Sequence, residues 1–223
     1  MYVTPQGRTR FDKVHELDAE SRHLVLLCEN EEGYRNLSYL VSMGWTEGFY
    51  IKPRIDLELL RQYSGGLIAL SACLAGEIPR RLRNGEYENA KAYALELSHI
   101  FGPDRFYLEL QDHGIRDQAI VNQGILRIHR ETGLPMVCTN DAHYLRKEDA
   151  EAHDVLLCIQ TGKTIDDENR MRYEPRNFYL RSEAEMAALF AGYEGALENT
   201  SKIADMCNLD FSFGKYHLPE FRL

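Results

Sequence analysis

The stretch LPMVCTNDAHYL, from Leu134 to Leu145, sets the fold class of the chain. Met136, Val137 and Cys138 form a short apolar run after Pro135, and such a run between turn residues predicts a buried strand. It ends in Asn140-Asp141-Ala142-His143. Side chains two apart on an extended chain point to the same side, so Asp141 and His143 can aim at one point beyond the strand. In sheets with helical crossovers, that end is where ligands and catalytic groups collect. A carboxylate oxygen and an imidazole nitrogen suit Zn, Mn or Fe. The same residues serve equally as a capping Asp and an ordinary loop His, since two donors do not define a metal site.

Working outward, three further apolar runs read as strands: HLVLLC from His23, GLIALSA from Gly66 and FYLELQ from Phe106. Tyr2-Val3 reads as the tail of another, and Trp45 to Arg54 as a loop. Helices are predicted from near Glu31 with Asn30 as cap, over Asp56 to Tyr63, Glu77 to Arg83, Tyr87 to Phe101 and Arg116 to Arg130. In the Tyr87 helix, Ala90, Tyr93, Ala94, Leu97, Ile100 and Phe101 make one stripe, and Gly102-Pro103 stops it. Strands alternating with long crossovers predict parallel pairing of all four and an α/β fold, either an open sheet or part of a barrel. Beyond Arg146 the pattern turns helical: near Lys147 to Gln160, after a capping box at Ser182 and Glu185, and from about Glu194 to Met206. The expected organisation is an α/β body over 1–145 and a helical extension over 146–223.

The chain has 223 residues and a net charge of −9, with 44% hydrophobic residues, which suits a globular protein with a sizeable core. That acidity argues against a chain that is itself the main nucleic-acid clamp. Five cysteines, an odd number with no C-x-x-C pair, point to free thiols in a reducing compartment. The opening MYVTPQGRTRFDK lacks a signal-peptide core, and no apolar run has membrane-spanning length. A cytoplasmic location without membrane contact is therefore expected.

Strand-end polar residues are the first candidates for chemistry: Cys73, His113, Asp141 and His143. Each has a plainer reading, as a core thiol or a turn residue. His23 begins its apparent strand, so strand-end geometry does not select it. His15, His99, His129, His153 and His217 carry no spacing signal and read as surface or packing residues. Gly162-Lys163-Thr164 imitates the end of a P-loop, but Leu157 stands where its first glycine belongs and a helix precedes it. Asp166-Asp167-Glu168 lacks calcium-loop spacing and reads as a solvated loop.

The blocks HLVLLCENEEGYRNL, LIALSACLAGEIPR, FYLELQDHG, TNDAHYL and AHDVLLCIQTGKT resemble the PHP (polymerase and histidinol phosphatase) domain of bacterial replicative DNA polymerase III alpha subunits of the DnaE type. NRMRY, NFYLRS, ALENT and FGKYHLPEF resemble the segment leading from that domain towards the palm. The resemblance implies a distorted (β/α)7 barrel, a Zn or Mn cluster in many members, and 3′–5′ exonuclease activity. It implies metal ligation by His23, Cys73, Asp141 and His143, with Asp141 and His143 as catalytic residues, and leaves His113 a supporting role. It implies DNA as partner through the full polymerase, together with the other holoenzyme subunits, including the proofreading exonuclease. The family's opening H-x-H strand, Asp-His segment and Glu ligand have no counterpart before Met1-Tyr2-Val3. The expectation is thus a piece that starts within the PHP domain, stops before the palm, and by itself holds an incomplete site and is inactive. A purely structural scaffold and a free-standing PHP phosphoesterase are the alternatives.

Overall fold

The computed structural model describes residues 1–4, 21–216 and 218. Residues 5–20, His15 among them, as well as His217 and the end of the FGKYHLPEF block, lie outside the described residues. The apolar run at His23 is two strands. β2 (Arg22–His23) joins a three-stranded sheet in the order β2-β1-β4, with β1 (Tyr2–Val3) central and β4 (Arg54–Ile55) parallel to it. β4 begins at Arg54, the last residue of the stretch expected to be loop. β3 (Val25–Cys28) opens a four-stranded sheet, β3-β5-β6-β7, with β5 (Leu67–Leu70), β6 (Phe106–Leu110) and β7 (Met136–Cys138). The sheets meet at Leu24, whose N–H donates to the Met1 carbonyl at 3.0 Å and whose carbonyl accepts from the Met1 ammonium at 2.9 Å.

β5, β6 and β7 are parallel as expected, but β3 is antiparallel to β5, in register from Val25 opposite Leu70 to Cys28 opposite Leu67. The expectation of four parallel strands therefore fails at the first. A pair of glycines makes room for this arrangement. α1 (Glu31–Thr46) starts directly after β3, with Asn30 Oδ1 accepting from Gly33 N–H at 3.0 Å. The Gly66 carbonyl, at the turn into β5, accepts from Glu29 N–H at 2.9 Å. A Cβ at Gly33 would lie 1.8 Å from that carbonyl oxygen, and Gly66 itself stands at φ +66°. Only glycines let the end of β3 sit on the beginning of β5, and strands that meet end to beginning run antiparallel. Nor do the two sheets close into the (β/α)7 barrel that the resemblance implies: among the described residues they remain an open three-stranded and an open four-stranded sheet.

One face of the larger sheet packs on helices. α2 (Leu57–Gln62), α3 (Glu77–Arg83), α4 (Tyr87–Phe101) and α5 (Arg116–Thr132) join α1 there, and the expected α4 stripe is buried at Ala90, Tyr93, Ala94, Leu97 and Phe101. The other face carries Ile68, Leu70, Tyr107 and Val137, and α8 (Glu198–Met206) covers it with Ile203 and Met206. Burying apolar area on both faces is the main stabilising term, at roughly 25 cal/mol per Å². α8 begins later than expected, because Gly195 at φ +78° breaks the chain before it. α6 (Ala150–Thr161) ends at Gly162 with φ +64°, so the P-loop imitation is a helix cap. α7 (Glu183–Leu189) has the expected Ser182–Glu185 capping box, and its Met186 joins the main core. The residues around α8 also bind the outer side of β7: Cys138 N–H donates to the Ala196 carbonyl at 3.0 Å, and Asn199 Nδ2 to the Met136 carbonyl at 2.7 Å.

Candidate functional site

The reversed direction of β3 brings its beginning to the same rim as the carboxyl ends of β5, β6 and β7. Strand-end reasoning passes over His23 only while β3 is taken as parallel. His23 Nδ1 lies 3.6 Å from Cys73 Sγ, and its ring meets Tyr2 edge-on at 5.1 Å. Cys73 follows Ala72, which stands at φ +65°, a conformation that L residues adopt only when their surroundings impose it. Asp141, also at positive φ (42°), lies beyond β7, with Oδ1 3.7 Å from His143 Nε2.

His23, Cys73 and Asp141 line one cleft of about 440 Å³, together with Glu109 and Gln111. A larger cleft of about 620 Å³, lined by Arg181, Glu183 and Glu198, lies towards α7 and α8 and contains none of the four candidates. In the first cleft burial pushes the Cys73 thiol up, and the charges of Asp141 and Glu109 push the same way. Burial lowers His23, helped by the Met1 ammonium and Lys52 and opposed by Asp141. Burial also raises Glu109, against the hydrogen bonds it accepts and with the Asp141 charge. Asp141 thus acts electrostatically on each of the other three groups.

His143 sits in an aromatic cluster, its ring 4.5 Å from Tyr173, 5.6 Å from Phe178 and 5.7 Å from His153. His153, read from sequence as surface or packing, belongs to this cluster. His113 is fully buried and stacks on Phe178 at 4.1 Å. Its Nε2 lies 2.8 Å from the Asn140 carbonyl and its Nδ1 2.8 Å from Gln118 Nε2. These partners fix the tautomer: Nε2–H donates to Asn140 and Nδ1 accepts from Gln118. Burial holds His113 below the usual imidazole value, in keeping with a neutral ring that anchors the residue before Asp141.

Glu109 is the residue that sequence reasoning missed. It is 5% exposed near the carboxyl end of β6, and its signal is a lone carboxylate at period two between Tyr107 and Gln111. By donor type, two imidazoles, a thiol and a carboxylate fit a borderline divalent ion better than Mg or Ca. By position the four stand as two pairs. Among the described residues, no three His, Cys, Asp or Glu groups converge closely enough to hold one ion.

Residues 2–113, half of the chain, match the PHP domain, and the chain belongs to that family. His23 and Cys73 lie inside the matched segment; Asp141 and His143 lie beyond it. Over most of its length the chain is similar to DNA polymerase III alpha subunits. It is 46% identical over 213 residues to that of Borreliella burgdorferi, covering 95% of this chain and 18% of the relative. It is 44% identical over 228 residues to that of Thermus aquaticus (100% and 19%). The Treponema pallidum protein is 42% identical over 210 residues (94% and 18%). The chain therefore spans less than a fifth of the length of these relatives.

Proposed function

We propose that the chain is the PHP portion of a replicative DNA polymerase III alpha subunit, and that its strand-end cleft binds Zn or Mn for 3′–5′ exonuclease-type hydrolysis of DNA. The observation that carries this reading is that His23, Cys73 and Asp141, from three separate segments, line one cleft in which the Asp141 charge acts on the other two. A divalent ion there would supply Lewis-acid polarisation of a phosphoryl oxygen. His23, kept neutral by burial, is ready as a nitrogen donor, whereas Cys73 must first lose a proton. His113 orients the Asn140 carbonyl and with it the Asp141 backbone. In the whole polymerase the domain completes its barrel, works in the cytoplasm on DNA, and contacts other holoenzyme subunits, including the proofreading exonuclease.

Because the donors stand as two pairs, this chain alone is expected to bind metal weakly and substoichiometrically and to show no exonuclease activity. The test is metal content and single-strand degradation by the full-length polymerase, with and without Asp141→Ala. Loss of metal and of degradation, with nucleotide insertion spared, is expected. A mutant that retains its full metal complement removes Asp141 from the ligand set. The same pairing of donors favours a second reading, a non-catalytic scaffold that docks the proofreading subunit. A full-length polymerase without bound metal that still captures that subunit would decide for it.

A further inference from the structure

We infer that Glu109 is a positioning residue that clamps the two halves of the donor set together, one oxygen on the Cys73 turn and the other on the strand leading to Asp141. Its Oε2 accepts from Ala72 N–H at 2.9 Å, directly before Cys73. Its Oε1 accepts from Thr139 Oγ1 at 2.5 Å, two residues before Asp141, and from Gln111 Nε2 at 2.9 Å. Its own N–H donates to Ser71 Oγ at 2.8 Å. The carboxyl group thus ties β5 and β7 together from the strand between them. A buried carboxylate among apolar strands is unfavourable unless its acceptors are filled, and here three donors from three segments fill them. The Ala72 tie is the one that holds a non-glycine residue at φ +65°. That turn sets where Cys73 meets His23.

Gln111 makes the inference testable. Its Nε2 faces Glu109 and Thr139 (the latter at 3.2 Å), while its Oε1 is sealed from solvent without a partner. With glutamine at position 109, Gln111 can turn that spare oxygen inward to accept from the new amide, and the clamp survives without charge. Leucine removes it, and aspartate keeps the charge but loses the reach.

The inference rests on the cleft being the working site, but its test needs no metal. Iodoacetamide alkylation of Cys73 in the metal-free 223-residue chain is followed by peptide mapping, with the half-buried Cys28 and Cys207 as internal controls. Glu109→Leu and Glu109→Asp are expected to accelerate Cys73 at least about tenfold, as the hydrogen bond that holds Ala72 N–H is lost in both, with the control thiols unchanged. Glu109→Gln is expected to stay within about threefold of wild type when the rates are compared at full ionisation of the thiol, taken from their pH profiles, because the Glu109 charge itself pushes the Cys73 thiol up. If Glu109→Leu accelerates all three thiols alike it has lost its fold, and the milder Glu109→Asp decides. Glu109→Asp reacting at the wild-type rate overturns the clamp, as does Glu109→Gln reacting as fast as a folded Glu109→Leu. Cobalt(II) titration of the wild-type chain, read by thiolate-to-metal absorption, tests the metal reading separately, so that either can fail alone.

Discussion

His113→Leu isolates the hydrogen bonds that hold the Asp141 loop, because leucine retains much of the packing against Phe178 while removing both ring nitrogens. Two groups lose their partner: the Asn140 carbonyl and the Gln118 amide, each 2.8 Å from the ring. A buried polar group left unsatisfied costs about 1–3 kcal/mol, so the pair amounts to about 2–6 kcal/mol. The lower half of that range is more realistic, since Gln118 keeps its second bond, from His113 N–H to Oε1. Against a total stability of roughly 5–15 kcal/mol for a domain, this is a large loss. Urea unfolding followed by far-UV circular dichroism measures it as a shift in midpoint at unchanged slope. Gln118→Met added to His113→Leu should then cost about 1 kcal/mol less than it does in the wild type. A single-mutant effect below about 0.5 kcal/mol, or strict additivity of the two, would refute the assigned hydrogen bonds.

Gly33→Ala puts a Cβ 1.8 Å from the Gly66 carbonyl and should abolish soluble expression or cost about 3–5 kcal/mol in urea unfolding, whereas Gly192→Ala, with nothing within 4 Å, should be neutral in the same measurement. Burial lowers the pKa of His23, His113 and His153, so the folded chain disfavours their charged forms. Their stabilising contribution is complete above the ordinary histidine value of about 6.5 and is lost as pH falls through the lower folded values. The melting temperature should therefore drop on acidification from about pH 7 to about pH 5, and His113→Leu should weaken that dependence. Asp154 accepts from Arg170 at 2.5 and 2.8 Å, with Arg176 at 3.9 Å. Asp154→Asn should accordingly speed proteolytic cleavage between residues 161 and 177 severalfold, and equal cleavage rates would show that the pair does not dock that loop.

Local signals predicted local structure well. Period 3.6 gave α4 to its terminal residues, and Asn30 and the Ser182–Glu185 pair capped helices where capping chemistry placed them. Cys73, Asp141 and His143 follow strand ends on one rim because β5, β6 and β7 run parallel, as the alternation of strands with long crossovers predicts. His23 was on the wrong side of that logic: the direction of β3 depends on Gly33 meeting Gly66, a contact across 33 residues that no periodicity records. Glu109 was invisible for a related reason. A carboxylate within FYLELQ reads as strand, and only the fold shows that its oxygens reach segments 37 and 30 residues away in sequence. His113 and His153 likewise took their places from neighbours distant in sequence.

The bonds from the α8 region to β7 have a consequence for how the molecule meets copies of itself. An outer strand with free N–H and C=O groups is a template on which another chain can add a strand and start a growing stack. At β7 that template is occupied, because Ala196 takes the Cys138 N–H and Asn199 fills the Met136 carbonyl. Neither residue belongs to a strand, so the ladder is capped without being extended. An incoming strand must first displace the 196–199 segment, whose Ala196 is itself buried in the main core. Resistance to edge-to-edge association is thereby coupled to the packing of the helical region, and a substitution that loosens α8 should expose this edge and promote fibre-like aggregation before it unfolds the sheet.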